Sequence, residues 1–421
     1  MIKYFLTFFS LTSFLFSIDL KIASYNVENL FDMKNDGTEY EEYKPNKHNW
    51  TDENLKKKLI NIAEVICDIN ADIIGLQEIE NENALKLLQK TLKQVGCYYP
   101  HASITHKKKS AIQVALLSKI PNSYTRELVV GQSLAYRNIL EVKFKVNDHS
   151  FYIFVNHWAS KRSSESKRIY SARALMKRLK ALPNKSEYII LGDFNNDYDE
   201  HTEEEKTAIN HILNTIDNKG RFIRVNALSY QKFLHYNLWL EQPNFRRWSH
   251  NFYGNKQALD AIILPKTLFD GKGIEYVDNS FNVFKKRYLF QKYGYLFRWQ
   301  YKKNRHMGKG YSDHFPVYAT FSTSKPFQKK QRVVQSGLID ELFQAMPSYP
   351  LLLKSVQVTR LQKNKAFIFQ KDSHNQIALY GIDKSLKLGG RYDIMVYKRK
   401  KYKGVYEVID FEIEKRYDTS N

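Results

Sequence analysis

The run Tyr188-Ile189-Ile190-Leu191-Gly192-Asp193-Phe194-Asn195 puts a carboxylate and a carboxamide directly after an apolar stretch and a glycine. Buried strands deliver polar groups to the rim of a sheet in this way, and sites are commonly built there. Asp193 and Asn195 are two residues apart, so an extended backbone would point both to one face. Such a pair could hold a phosphate, a metal or an attacking water. Alone it is equally well explained by turn-forming residues. Its weight comes from the other strand ends. Asn26 follows Ile22-Ala23-Ser24-Tyr25, Glu78 follows Ile73-Ile74-Gly75-Leu76-Gln77, and His157 follows Tyr152-Ile153-Phe154-Val155-Asn156. Asp260 opens a run through Leu264, and Asp313-His314 introduces another. Together they supply hard oxygen ligands for Mg²⁺, Mn²⁺ or Ca²⁺ and two imidazoles for proton transfer.

The elements that must position these groups are legible from periodicity. Apolar or alternating runs predict strands at 20–27, 71–78, 113–118, 138–146, 151–157, 188–197, 259–264 and 315–321. Leu55, Leu59, Ile62, Ile66 and Ile69 fall on one face of a helix over 53–69, and a second helix is expected at 81–94. A third, over 164–182, carries Lys167, Arg168, Arg173, Lys177, Arg178 and Lys180. Strands with so few helices predict an α+β fold, a two-layered sheet core flanked by helices. At 323–345 the composition turns to Ser, Lys, Pro and Gln, which reads as a linker with a short helix near 337–345. Short strands separated by Gly381, Gly389-Gly390 and Gly404 then predict a small five-stranded β-barrel over 346–421.

The 421 residues suffice for two domains, and 66 Lys+Arg against 44 Asp+Glu leave a net charge of +22. That excess favours a polyanionic partner. Residues 1–17, with Lys3 ahead of an apolar stretch and Ser17 at its end, read as an export signal too short to span a bilayer. Export permits a disulfide between Cys67 and Cys97, the chain's two cysteines. Cys67 also continues a helical apolar stripe, so spacing leaves a plain core role open. Two cysteines make no zinc site.

The segments Ser24-Tyr25-Asn26-Val27-Glu28-Asn29-Leu30-Phe31, Gly75-Leu76-Gln77-Glu78, Asn156-His157-Trp158, Gly192-Asp193-Phe194-Asn195, Leu259-Asp260 and Gly310-Tyr311-Ser312-Asp313-His314-Phe315 occur in that order. In this the sequence resembles the endonuclease/exonuclease/phosphatase superfamily of deoxyribonuclease-I-like enzymes, and its secreted bacterial nuclease branch in particular. The resemblance covers most of residues 18–322. It implies a four-layer α/β sandwich with two packed mixed sheets, and metal-dependent phosphoester hydrolysis by a monomer. Glu78 would be the main metal carboxylate, with Asn26 and Asp313 nearby, and Mg²⁺, Mn²⁺ or Ca²⁺ the ion. His314, oriented by Asp260, would meet the phosphate and transfer protons. Asp193 and Asn195 would position or deprotonate water, and His157 would hydrogen-bond the phosphate or protonate the leaving oxygen. Arg137 resembles the phosphate-contacting arginine. No counterpart is identified for the glutamate that supports the first histidine in pancreatic-type nucleases, which leaves the acid/base division between His157 and His314 open. Residues 376–408 resemble an OB-fold appended to secreted nucleases.

The stretch 281–310 has nine Lys/Arg, no Asp/Glu and nine aromatic residues. It reads as a ledge for DNA or RNA, with Lys285, Lys286, Arg287, Lys302 and Lys303 for phosphates and Trp299 for stacking on bases. The same stretch speaks against a sphingomyelinase, which needs an apolar hairpin. A phosphoesterase acting on lipid or a small phosphate ester, and a non-catalytic DNA-binding or adhesion protein, are the alternatives.

Overall fold

The computed structural model describes residues 18–417, except 231, 253, 292–294, 329–334, 345–349 and 383–385. The segment read as an export signal and the last four residues lie outside the described residues. The chain is α+β and dominated by sheets.

The first large sheet contains β1 (Asp19–Leu30), β2 (Ile73–Ile79), β3 (His101–Ile104), β4 (Gln113–Ser118), β13 (Glu275–Tyr276), β14 (Asn282–Val283) and β17 (Val317–Ser322). β1 and β2 run parallel at its centre, while β17 and β4 flank them antiparallel. The second contains β5 (Asn122–Leu128), β6 (Ile139–Val146), β7 (His149–His157), β8 (Glu187–Asp193), β9 (Tyr236–Asn237) and β12 (Asp260–Leu264). Only β7 and β8 are parallel here, so both sheets are mixed. The expected strands are present with ends displaced by a few residues.

The sheets pack face to face, β1 and β2 against β8, and one continuous apolar cluster fills the space between them. Gly75 permits the close approach: a Cβ there would lie 2.6 Å from Leu191 Cδ1. The helix α1 (Asp52–Ile69) packs on β1 and on α2 (Glu82–Gln94), burying the predicted Leu55, Leu59, Ile62, Ile66 and Ile69. Both helices open on a capping side chain, Thr51 and Asn81. The helix α3 (Glu165–Lys180) is fixed to the second sheet by Arg178, whose Nε and Nη2 donate to the fully buried Glu141 at 2.7 Å each. Cys67 and Cys97 form a disulfide joining the end of α1 to the segment after α2. No helix among the described residues is long and apolar enough to cross a membrane.

Two small hairpins complete this part of the chain, β10 (His250–Phe252) with β11 (Asn255–Gln257) and β15 (Tyr301–Lys302) with β16 (Arg305–His306). The stretch expected to be a linker stays attached at both ends. Thr323 N donates to Ile18 O, Phe327 packs on Phe269 with ring centroids 4.9 Å apart, and β18 (Gln335–Gly337) already pairs with the next strand. A second apolar cluster begins at Ile339 and Leu342, so the C-terminal unit starts before residue 346. Its strands β19 (Leu351–Gln362), β20 (Lys365–Phe369), β21 (Ile377–Tyr380), β22 (Arg391–Tyr402) and β23 (Val405–Tyr417) pair in the order β19-β20-β21-β23-β22, and β22 also pairs with β19.

Candidate active site

Three neighbouring strands of the second sheet put their polar ends in one row. His157 stands opposite Asp193 across β7 and β8, and Asp193 stands opposite Asp260 across β8 and β12. Gly192 makes the crowding tolerable. Its φ is +140°, and a Cβ there would lie 2.0 Å from Asn156 O. The chain turns at once afterwards. Asn195 therefore does not extend the strand to share a face with Asp193, as expected from spacing, but has φ +51°. Its N–H donates to Asp193 Oδ1 at 2.9 Å, and its Nδ2 donates to Trp158 O at 3.2 Å. Asn195 shapes the turn beneath the site.

The first sheet reaches the same place through irregular strand ends. Pairing of β1 with β2 is regular to Asn26 opposite Gln77 and then shifts register, and Glu28, Asn29 and Glu78 all have positive φ. Bulges of this kind re-aim side chains. Asn26 Nδ2 lies 3.0 Å from both Glu78 Oε1 and Asp193 Oδ2, so it ties the two sheets together.

His314 Nδ1 lies 2.7 Å from Asp260 Oδ2, which also accepts from Ser249 Oγ at 2.6 Å. Its Nε2 faces Asp193 Oδ2 at 3.8 Å and Asp313 Oδ1 at 4.0 Å. Burial alone would depress its pKa, but Asp260 and Asp193 outweigh that and raise it well above the ordinary imidazole value. His157 behaves oppositely. Its Nε2 lies 3.5 Å from Asp193 Oδ2 and 3.7 Å from Glu78 Oε1, while its buried Nδ1 meets no partner. Burial, with Arg137 and His314, lowers its pKa well below the ordinary value. Burial and then Asp313 raise Glu78, and burial raises Asp193.

One ligand atom from each of Glu78, His157 and Asp193 lies within 4.8 Å of the other two. Asp313 groups instead with His250 and His314. Among the described residues no lysine or arginine forms an ion pair with Glu78 or Asp193. Carboxylates with no lysine or arginine partner, beside a carboxamide, fit a hard divalent cation.

Several residues here carry no local signal. Glu28 accepts from Arg298 Nε at 2.8 Å, and Arg298 Nη2 lies 3.2 Å from Asp313 Oδ2. Lys58 is fully buried on α1 and donates to Glu28 O at 2.8 Å, and burial lowers it to about 8. The ring of His250 lies 4.8 Å from that of His314. Arg137 is at the same edge, donating to Trp158 O at 2.8 Å and bonded to Tyr40.

The basic stretch divides. Lys286, Arg287, Lys302 and Lys303 are exposed. Trp299 is not available for stacking on bases: it is 2% exposed, its Nε1 donates to His306 Nδ1 at 3.0 Å, and Lys58 Nζ sits 5.1 Å from its ring. Lys285 is half-buried, its Nζ 3.6 Å from the centre of the Trp248 ring, and burial lowers its pKa to about 6. It packs on aromatic rings and is a poor fixed positive charge for a phosphate.

The profile of the Endonuclease/Exonuclease/phosphatase family matches residues 21–323. No curated protein matches the chain. Solved structures that resemble it include a humanized D. rerio TDP2 with 14 mutations, 16% identical, TM-score 0.46, covering 72% of this chain and 98% of that one. An endonuclease/exonuclease/phosphatase family protein from Bacteroides thetaiotaomicron is 15% identical, TM-score 0.45, covering 73% and 99%. D. rerio TDP2 complexed with a single strand DNA product is 14% identical, TM-score 0.44, covering 72% and 98%.

Proposed function

The chain belongs to the endonuclease/exonuclease/phosphatase family, and from that premise we propose that it is a divalent-metal-dependent phosphodiesterase that hydrolyses DNA or RNA. The observation that carries the reading is the convergence of Glu78, His157, Asp193 and the Asp260–His314 pair at one edge of the two sheets.

A phosphodiester resists attack because its own negative charge repels the nucleophile. Glu78, with Asn26 and Asp313 close by, would hold Mg²⁺ or Mn²⁺, which would supply charge against the phosphate and acidify water. Asp193 Oδ2 is flanked by both imidazoles and is placed to accept a proton from the attacking water. His314 is held cationic by Asp260, with Nε2 directed to the cleft, and protonates the leaving oxygen. His157, held neutral, hydrogen-bonds the phosphate. Arg137 adds positive charge at the same rim, and Asn195 holds Asp193 in place from below.

The net charge of +22 and the exposed Lys286, Arg287, Lys302 and Lys303 support a nucleic acid as the polyanion. The pairing circuit of β19 to β23 supports an OB-like module that adds affinity for it. The Cys67–Cys97 pair supports an exported protein released from residues 1–17, and N-terminal sequencing of protein recovered outside the cytoplasm would check this.

The activity test is incubation of plasmid and of end-labelled DNA and RNA, single- and double-stranded, with Mg²⁺ or Mn²⁺ and with excess chelator. Metal-dependent cleavage is expected. Full activity in chelator would overturn the reading. Hydrolysis of a phospholipid or small phosphate ester with no nucleic acid cleaved would also overturn it.

A further inference from the structure

A second group of carboxylates stands apart from the cleft side chains, on the loop after β1 and at the end of β2. One carboxylate oxygen each from Asp36, Glu39 and Glu80 lies within 4.8 Å of the other two. Acidic groups often cluster on surfaces without purpose, but this one is not solvated in the ordinary way. Glu80 is 3% exposed and its Oε1 meets no hydrogen-bond donor, while its Oε2 accepts from Asp32 N at 2.6 Å. A buried carboxylate oxygen with no partner costs free energy unless something positive meets it. Among the described residues no lysine, arginine or histidine forms an ion pair with Asp32, Asp36, Glu39 or Glu80. The carboxylates are instead aimed by neutral donors. Gly37 N donates to Glu39 Oε2 at 3.0 Å, Asn81 Nδ2 to Asp36 Oδ2 at 3.0 Å, and Asn83 Nδ2 to Asp32 Oδ2 at 2.7 Å.

We propose that Asp36, Glu39 and Glu80 bind a calcium ion at a structural site separate from the catalytic centre. The three donors are all carboxylate oxygens and two of them sit on a loop, which suits the flexible high coordination of Ca²⁺ better than the rigid octahedron of Mg²⁺. Asp36 is exposed and leaves a path for the ion. The ion would fasten the loop to the end of β2. That loop carries Tyr40, bonded to Arg137 beside the active site, and Trp50, whose Nε1 donates to Asp32 O at 3.2 Å. Calcium would thus set the position of one wall of the cleft without taking part in the chemistry. The inference does not rest on the nucleic-acid assignment.

The test is equilibrium dialysis of the full chain against Ca²⁺ alone, with Tm measured in parallel. Glu78→Gln disables the proposed catalytic site, so one Ca²⁺ should remain bound and Tm should still rise with Ca²⁺. Adding Asp36→Asn to that variant should weaken the remaining site by about tenfold or more, and adding Glu80→Gln should do the same. Asp36 is exposed, so its replacement leaves the fold intact even if the buried Glu80→Gln variant misfolds. Loss of all Ca²⁺ binding in Glu78→Gln alone, or unchanged stoichiometry and affinity on adding Asp36→Asn, would overturn the proposal.

Discussion

Asp260 Oδ2 lies 2.7 Å from His314 Nδ1 and holds the ring with Nε2 toward Asp193. The carboxylate is completely buried and accepts from Ser249 Oγ at 2.6 Å, while the Trp239 indole fixes the backbone by donating to the Asp260 carbonyl at 2.7 Å. No such support reaches His157 Nδ1. The two imidazoles therefore differ in charge although they face the same carboxylate. That difference is the reason for proposing His314 as the acid.

Asp260→Asn should lower kcat by about 10²–10⁴-fold, with a small change in KM, because the ring loses both its orientation and the charge that keeps it protonated. The sign for pH follows from the direction of the shift. His314 is raised, so its proton is retained at neutral pH and lost only in the alkaline range. Removing the Asp260 charge lowers that pKa and should move the alkaline limb of the pH–rate profile to lower pH. An unmoved limb would mean that another group is the acid.

Glu78→Gln should abolish metal-dependent turnover while leaving the fold intact, since the amide keeps the shape but loses the charge. Titration of Mg²⁺ or Mn²⁺ into chelated protein should restore wild-type activity and fail to restore the variant. Asp193→Ala should be nearly inactive at any metal concentration. Rescue of Glu78→Gln by modest extra metal would shift the main ligand role to Asp313.

Much of this site was legible because its groups sit at strand ends, where an apolar run stops and a polar residue follows. Asn26, Glu78, His157, Asp193, Asp260 and His314 come together as that pattern implied. What the pattern missed depends on distant partners. Glu28 pairs with Arg298 across 270 positions, and neither has a local signature. Asn195 turned aside because period-two reasoning ends where the backbone enters a left-handed turn. Trp299 was misjudged because the polar residues around it are exposed, while its own ring is covered by Lys58, Trp50 and His306. Strand order in the C-terminal unit comes from pairings that no local run encodes.

Acid should destabilise the fold through its buried histidines. His235 is fully buried, with Nε2 2.8 Å from Tyr188 Oη and Nδ1 against Leu213 O, and burial lowers its pKa from 6.5 to about 4. The unfolded chain takes up this proton near pH 6.5, whereas the folded chain resists until about pH 4. Stability is thus intact above pH 6.5 and lost as pH falls toward 4, by on the order of 3 kcal/mol from this group. Urea unfolding at pH 7 and pH 4.5 measures it. His235→Gln should show a smaller acid loss, with His250, also lowered to about 4, accounting for part of what remains.

Trp299→Ala should cost about 3–5 kcal/mol of stability, the range for emptying a core indole, and change single-strand binding little in protein that remains folded. Neutralising the exposed Lys286, Arg287, Lys302 and Lys303 should instead flatten the salt dependence of nucleic-acid affinity. Every phosphate left without its cation takes roughly 0.7–0.9 off the log–log slope. Kd against salt for both variants separates the two outcomes. A strong binding defect in folded Trp299→Ala would contradict the buried placement.

The C-terminal unit is docked through a pair that makes a point substitution worse than a deletion. Arg247, whose side chain is 5% exposed, donates from Nη2 to Glu412 Oε1 at 2.9 Å, and Asn244 Nδ2 donates to Phe411 O at 2.8 Å. Glu412→Gln removes the carboxylate but leaves the interface closed, so the guanidinium stays desolvated without its ion-pair partner. Breaking one side of such a pair costs about 3–5 kcal/mol when fully buried, and somewhat less here because Glu412 is partly exposed. Ending the chain near residue 327 instead lets water reach Arg247, so the catalytic part should lose less stability than Glu412→Gln does. Turnover of a short oligonucleotide should survive the truncation, since every cleft residue precedes it, while affinity for substrates beyond about 16 nucleotides should fall. Thermal unfolding and Kd against substrate length, measured on both variants, decide it. A folded truncation unable to cleave short substrates would place β19–β23 within the active site itself.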